Sequence, residues 1–327
     1  MQAILFDHNG NLFIDEVPDP IPKDNEVLVE VKATAVNRAD LLQKRGKYPA
    51  PEGESDILGL EMSGVVIEKG RLAEKWEIGD RVCGLLAGGG YAQKVSIDQD
   101  LLVPIPENWD FETAAAMPEV FLTAYQALKW IGHFEEGENL LIHAAASGVG
   151  TALIQLAKQM GAGHIWGTAS KAKHPLINQL GVNTAIDYQS ERFLDVVLSQ
   201  SDYKGANLII DFVGANYFQD NIKALSTEGR LVMLGLLSGA RTADFNLAPI
   251  LTKRLQILGS TLRSRSLAYK KELVKEFWTD TEDLFVSEKI KVIIDSVYDW
   301  KEVEQAHQRM SNNENSGKIV LRIEGCS

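Results

Sequence analysis

Residues 140–160 run from a short apolar stretch, through a turn of small residues, into a long segment with an apolar face. Leu140-Leu141-Ile142-His143-Ala144 has the character of a buried strand. Residues 151–160 carry a wide apolar stripe at helical spacing and stop at Gly161, a residue suited to cap a helix C-terminus. A strand feeding a helix through so tight a turn is the unit of a parallel sheet, and the chain repeats it. Further strand-like runs occupy 164–169, 185–188, 207–211, 231–235 and 255–259. Strands alternating with helices predict an α/β architecture with a doubly wound parallel sheet.

The preceding part reads differently. Glu26-Val27-Leu28-Val29-Glu30-Val31-Lys32 alternates apolar and polar residues, the period of a half-buried strand. Short runs at 64–67, 81–86 and 91–97 follow, separated by turn signals such as Gly79-Asp80 and Gly88-Gly89-Gly90. Many short strands with regular turns suggest a small, barrel-like β-rich domain. Met1-Gln2-Ala3-Ile4-Leu5-Phe6-Asp7 reads as a first strand, because no basic stretch leads into an apolar run. A charged helix is expected over 269–285, with strands near Val292 and at 318–321.

A chain of 327 residues is too long for one compact core, so two domains are expected. The formal charge of -12 would repel polyanions, which argues against nucleic acid and anionic membrane as partners. The two cysteines, Cys83 and Cys326, are too few and too far apart for a disulfide framework. A reduced, cytoplasmic setting fits them.

The turn itself, Ala144-Ala145-Ala146-Ser147-Gly148-Val149-Gly150, stands where a dinucleotide-binding fold places its phosphate loop. Aligned on its last glycine, the G-x-G-x-x-G fingerprint is met here by Ala145, Ser147 and Gly150. Small residues let the backbone approach a pyrophosphate, and the helix N-terminus offers N–H donors and a positive dipole end. Ala146, Ser147, Gly148 and Val149 are therefore candidate cofactor contacts. Tight packing alone also produces such turns, but the following strands favour the nucleotide reading.

NAD-specific folds usually carry an acidic residue about 20 residues past the glycines. The second strand here ends Gly167-Thr168-Ala169-Ser170-Lys171-Ala172-Lys173, with no carboxylate. Thr168, Ser170, Lys171 and Lys173 suit a ribose 2′-phosphate, so NADPH is the expected cofactor. The alternative is that these lysines are ordinary solvated residues at a helix start.

Asn37-Arg38-Ala39-Asp40, Gly59-Leu60-Glu61-Met62-Ser63-Gly64, Ile78-Gly79-Asp80-Arg81-Val82, the turn itself and Gly317-Lys318-Ile319-Val320-Leu321 together resemble the medium-chain dehydrogenase/reductase superfamily. Gly88-Gly89-Gly90-Tyr91-Ala92 and Leu262-Arg263-Ser264-Arg265 are similar to its zinc-free quinone oxidoreductase branch, which includes tumour-suppressor-inducible animal enzymes and bacterial relatives. The resemblance spans the whole chain. It implies a discontinuous GroES-like catalytic domain, 1–118 with 260–327, and a Rossmann cofactor domain at 119–259. It also implies a cofactor cleft between them and a homodimer.

Zinc is not expected. The family's G-H-E histidine is replaced by Leu60, the histidines lack ligand spacing, and Cys83 reads as a small core residue. His143 reads as a satisfied core or turn histidine. An acceptor that spreads charge over a conjugated system, a quinone or an enone, needs no metal; hydrogen-bond donors can polarise its oxygen. The resemblance offers Asn37 and Tyr48 for this role, with Tyr48 and Arg263 at the substrate. Asn37 could equally cap a helix over 38–44. By position, Thr123, Tyr188, Val213, Gly214, Gly235, Leu236 and Leu262 are further cofactor candidates, and Lys318 is a candidate for the diphosphate. The leading expectation is an NADPH-dependent quinone reductase. An enone reductase and an NADPH-holding sensor with little turnover remain as alternatives.

Overall fold

The computed structural model describes residues 1–243 and 245–323, so Cys326 lies outside the described part. The chain separates into two compact units. One is formed by the chain before Thr123 and after Thr261, the other by Thr123–Thr261.

In the first unit a mixed sheet is ordered Ile294–Asp299, Lys318–Arg322, Glu26–Val36, Glu61–Lys69, Arg81–Leu85, Leu102–Pro104, and Lys94–Asp98 pairs with Glu26–Val36 as well. The strand Glu26–Val36 is long enough to serve three partners. Its first half pairs with Lys94–Asp98, its last four residues with Lys318–Arg322, and most of its length with Glu61–Lys69. Val27, Val29, Val31, Ala33 and Ala35 are all buried, as the alternation requires of a strand lying on the core. Ala33 and Ala35 pack with Ala115, Ala116 and Val320, where only small side chains let a short helix, Phe111–Ala115, approach the sheet. Gly64 answers a similar demand, since a Cβ there would stand 2.1 Å from the Glu30 carbonyl oxygen.

In the second unit six parallel strands are ordered Thr184–Asp187, Ile165–Ala169, Leu140–Ile142, Ala206–Asp211, Leu225–Met233, Gln256–Gly259. The chain starts in the middle, runs to one edge, returns and runs to the other, which is the doubly wound order. Leu141, Trp166, Ile186, Ile209 and Leu231, one from each of five strands, form part of one buried cluster against Phe193, Val197 and Ile222. Ligands bind such sheets at the carboxyl end where the order reverses, here after Leu140–Ile142 and Ala206–Asp211.

The expected α/β class and the parallel sheet are observed. Boundaries differ for local reasons. The helix begins at Gly148 rather than 151, because Ser147 caps it and accepts from the Gly150 N–H. The strand before it stops at Ile142, since Ala144 takes a left-handed φ of 48°. The run expected from 91 enters the sheet only at Lys94, the Tyr91 N–H being used by the Leu58 carbonyl. The strands Leu12–Glu16 and Leu102–Pro104 and the helix Phe111–Ala115 carry no clear periodicity and were not anticipated.

Gly64→Ala should destabilise the protein by about 3 kcal/mol or more, because backbone on the neighbouring strand must move. A urea midpoint unchanged from wild type would show that the close approach carries no such constraint.

Candidate functional site

The turn in the second unit is a strained loop held from beneath. Ala144 adopts its left-handed conformation while its N–H donates to Thr168 Oγ1 at 3.3 Å, and the Ala145 N–H donates to the Thr168 carbonyl at 2.9 Å. The Thr168 hydroxyl also meets His143 Nδ1 at 3.1 Å, and His143 Nε2 meets Asn221 Oδ1 at 2.7 Å. With Asn221 Oδ1 as acceptor, His143 carries its proton on Nε2, and Nδ1 accepts from Thr168. Phe193 and Tyr217 pack edge-on against the imidazole. Burial pushes the His143 pKa down to about 4, against the opposing effect of the Asn221 bond, so the ring stays neutral. His143 is thus a satisfied histidine. Thr168, expected as a cofactor contact, is buried with its hydroxyl committed, and it supports the turn from below.

Above that support, the first N–H groups of the helix Gly148–Gln159 include those of Gly148 and Val149, which have no intrahelical acceptor by geometry. Gly150 allows the turn to close: a Cβ there would lie 2.5 Å from the Ala144 oxygen. Ala146 is buried and Ser147 half-buried at the rim. These residues fit a diphosphate, whose oxygens would take the free N–H groups.

Ser170 stands at the cap of the short turn Lys171–Lys173, and its side chain makes no capping bond. Lys171 is exposed and lies within electrostatic reach of Asp187. The Asp187 carboxylate is tied to the Ser190 hydroxyl at 2.9 Å, and its pKa is held below the usual range by that bond first. Tyr188 is exposed and lines a hollow of about 330 Å³ with Arg192, Tyr217 and Asp220. Val213 and Gly214 turn around Asp211, whose carboxylate accepts their N–H groups at 2.7 and 3.1 Å. Gly214 faces Leu236, and Gly235 faces Phe212, so the loops after the fourth and fifth strands pack together. Thr123 lies half-buried in the helix Pro118–Tyr125.

In the first unit the expected residues Asn37 and Lys318 meet, but not in the roles assigned to them. Lys318 Nζ donates to Glu61 Oε1 at 2.6 Å, Asn37 Oδ1 at 2.7 Å and the Val36 carbonyl at 3.1 Å. Its three hydrogens are spent and its side chain is 3% exposed, so it has nothing left for a diphosphate. Asn37 donates its amide to Glu61 Oε1 at 2.8 Å and to the Ala35 carbonyl at 3.2 Å. Both amide hydrogens are used, and Asn37 offers no free donor to an acceptor oxygen. Asn37 stands at the N-cap of the helix Arg38–Gln43, as the alternative reading had it, and Asp40 in the first turn accepts the Asn37 N–H at 2.7 Å.

Asp40 and Glu61 are both fully buried. Asp40 also accepts from the Gly59 N–H at 3.0 Å, yet burial pushes its pKa up to about 6. The Tyr91 hydroxyl donates to Asp40 Oδ2 at 3.4 Å and also meets His307 Nε2 at 3.0 Å. Glu61 Oε2 accepts the Glu119 N–H at 2.8 Å. Burial, then Glu61, pushes the Glu119 carboxyl up to about 8. Tyr48 and Arg263 do come together: the guanidinium sits 5.6 Å from the centre of the Tyr48 ring, and Nη1 reaches the Tyr48 carbonyl at 3.4 Å. Leu262 beside it is buried. Burial, then Glu119, raises the Tyr48 pKa, with Arg263 opposing. The sequence reading missed Asp40, Glu119 and the role of Glu61. An acidic residue in a first helical turn, as in Pro118-Glu119-Val120, looks like ordinary dipole compensation.

Residues 148–279 match the family model of the zinc-binding dehydrogenases, and 23–107 match that of the alcohol dehydrogenase GroES-like domain. The chain belongs to the medium-chain dehydrogenase/reductase superfamily. A synaptic vesicle membrane protein VAT-1 homolog of Danio rerio is 32% identical to this medium-chain reductase over 318 residues. That match covers 93% of the chain and 66% of the relative, slightly under two thirds of the latter's length. A quinone oxidoreductase of Pseudomonas syringae pv. tomato superposes with a TM-score of 0.86 at 29% identity, covering 98% of this chain and 99% of that one. A mycobacterial protein solved in complex with NADPH gives a TM-score of 0.87 at 26% identity, covering 98% and 100%.

The description of the longer family model names zinc, and the donor set of this member does not suit it. Leu60 is buried and cannot ligate. Glu61 is committed to Lys318 and Asn37. The Cys83 thiol is fully buried, and burial raises its pKa far above the ordinary value, which disfavours the thiolate a metal requires. Among the described residues, no three His, Cys, Asp or Glu side chains stand together as a metal site.

The buried histidines make stability fall with acid. His143 is held neutral, so its contribution is complete above the ordinary value of 6.5 and is lost as pH falls from there towards about 4. His307, pushed down to about 3 by burial, acts in the same direction. His143→Gln should flatten the fall of unfolding free energy between those pH values by about 3 kcal/mol. Urea titrations at a series of pH values test this; parallel curves for variant and wild type would contradict it.

Proposed function

We propose that this reductase uses NADPH to reduce a quinone or a similarly conjugated electrophile. The observation that carries the cofactor part is the end of the second parallel strand. No carboxylate follows it directly, while Ser170 keeps an uncapped hydroxyl and Lys171 is exposed beside it. A dianionic 2′-phosphate would gain charge-assisted hydrogen bonds there. The mycobacterial neighbour that binds NADPH supports this choice. When bound, the nicotinamide supplies the hydride.

This chain's own residues would do the rest. Gly148 and Val149 N–H groups and the Ser147 rim would seat the diphosphate, with Val213, Gly214, Gly235 and Leu236 forming the wall at the carboxyl ends of the strands. Tyr48 retains its phenolic proton, because burial and Glu119 both oppose its loss. With Arg263 against its ring, it is positioned to donate to an acceptor oxygen. The P. syringae quinone oxidoreductase supports the quinone as acceptor. We further assign the protein to the cytoplasm as a homodimer. Among the described residues no helix is long and apolar enough to cross a membrane.

The combined change of Ser170→Asp and Lys171→Ala should raise the NADPH dissociation constant at least about tenfold and leave that of NADH nearly unchanged, the loss expected from one or two charge-assisted hydrogen bonds. Equal losses for both cofactors would sink the assignment. Turnover should be found with a quinone panel and fall with enones and simple aldehydes; a clear preference for enones would identify a double-bond reductase instead.

A further inference from the structure

Three carboxyl groups, Asp40, Glu61 and Glu119, act on one another around the buried ammonium of Lys318. They are not equally provided for. Glu61 takes the ammonium directly and accepts from Asn37 and from the Glu119 backbone. Asp40 accepts two backbone N–H groups, from Asn37 and Gly59, with the Tyr91 hydroxyl at 3.4 Å. The Glu119 side chain has neither a hydrogen bond nor an ion pair among the described residues, and its own N–H pins it beside the carboxylate of Glu61. A carboxyl so placed is the one to keep its proton.

Cations do stand within electrostatic reach of it. Lys318 is saturated, as shown above. Arg263 is buried and uses Nε on the Ala87 carbonyl at 2.6 Å and Nη1 on Tyr48, but its Nη2 is buried without an acceptor. Lys270, in the helix Leu267–Val286, is buried as well; burial lowers its pKa, and Glu54 and Glu119 oppose that. A buried guanidinium nitrogen with no acceptor is costly and calls for a partner that arrives during the working cycle. An ionised Glu119 would be such a partner.

Resting on the reading above, we propose that Glu119 is the acid that protonates the acceptor's oxygen, with Arg263 and Lys270 stabilising the carboxylate it becomes. The acceptor gains a hydride, two electrons and one hydrogen nucleus, from the reduced nicotinamide, which is left oxidised. The negative charge collects on the acceptor oxygen. An O–H bond forms there as the O–H bond of Glu119 breaks, and water later returns the proton to the carboxylate. The groups acting on Glu119 are Glu61, Lys318, Asp40, Arg263, Lys270 and Tyr48. Their balance leaves it protonated at neutral pH, up to about 8. Its place in a first helical turn favours the ionised form, but burial and Glu61 act more strongly.

The test is Glu119→Gln, which keeps the shape and neutral charge and removes only the acid. Wild-type turnover with a quinone should be level at neutral pH and fall above about 8. The variant should lose that alkaline limb and at least about tenfold in turnover, with the NADPH dissociation constant unchanged; Glu119→Asp should restore part of the loss. Independently of turnover, wild type at pH 7 should show the infrared carbonyl band of a protonated carboxylic acid, titrating away near the same pH and missing from Glu119→Gln. A variant with normal turnover and an intact alkaline limb, or a wild type without that band at neutral pH, overturns this inference alone. A wild type that keeps the band but reduces nothing overturns the quinone reading, and this inference with it.

Discussion

The ammonium of Lys318 lies inside the first unit and holds three parts of the chain together. It belongs to the strand Lys318–Arg322, near the end of the sequence, and bonds Val36 and Asn37 at the end of Glu26–Val36 and Glu61 at the start of Glu61–Lys69. Taking an ammonium and a carboxylate out of water costs several kcal/mol each, and their attraction offsets this only if the remaining hydrogen-bonding capacity is met. Here it is met on both sides. All three ammonium hydrogens are used, and both Glu61 oxygens accept, one from Asn37 and Lys318 and the other from the Glu119 backbone. The consequence is positional. A one-residue slip of Lys318–Arg322 against Glu26–Val36 would turn the lysine to the other face and leave Glu61 buried without its charge partner, so the pair fixes the register.

The polar cluster of the second unit solves a different problem with neutral groups. A left-handed alanine must be kept in place under the turn at Ser147, and such a conformation persists only where its surroundings over-determine it. Thr168 receives the alanine's N–H and is itself held by His143, which is held by Asn221. The chain of bonds works only with a neutral imidazole, because Nδ1 must accept. Burial secures that, and the aromatic rings of Phe193 and Tyr217 exclude the water that would charge it. The rigidity of the turn is in this way exchanged for sensitivity to acid.

What could be read in the sequence follows from what is periodic. The parallel sheet was legible because five of its six strands are apolar runs separated by helical spacing, and the turn because small residues sit between a strand and a helix. The strand Leu12–Glu16 alternates too weakly, exposing all five of its residues at least in part, and nothing local marks it. The side-chain constellation was harder. Tyr48 and Arg263 are 215 residues apart, and nothing local to either segment signals that the guanidinium reaches the Tyr48 carbonyl. Asn37 and Lys318 were read as reaching outwards to ligands. Sequence carries no sign of the 0% exposure of Glu61, the fact that draws both inwards.

That burial also bears on how the superfamily's metal-dependent and metal-free chemistry can share one scaffold. Position 60 carries a leucine packed in the core, so the segment that could present a ligand presents none. The carboxylate next to it is answered by an ammonium and an amide, groups that neutralise its charge but cannot act on a substrate once saturated. On the proposed reading, activation of an acceptor would come from groups that the ion pair leaves unsatisfied. The Tyr48 phenol, the orphan nitrogen of Arg263 and the carboxyl of Glu119 are such groups; burial and neighbouring carboxylates hold the protons of Tyr48 and Glu119 in place. Such proton donors would suit acceptors that take hydride readily and spread the charge that follows. On the proposed reading, the choice of a conjugated electrophile would follow from what Lys318 and Glu61 have already consumed.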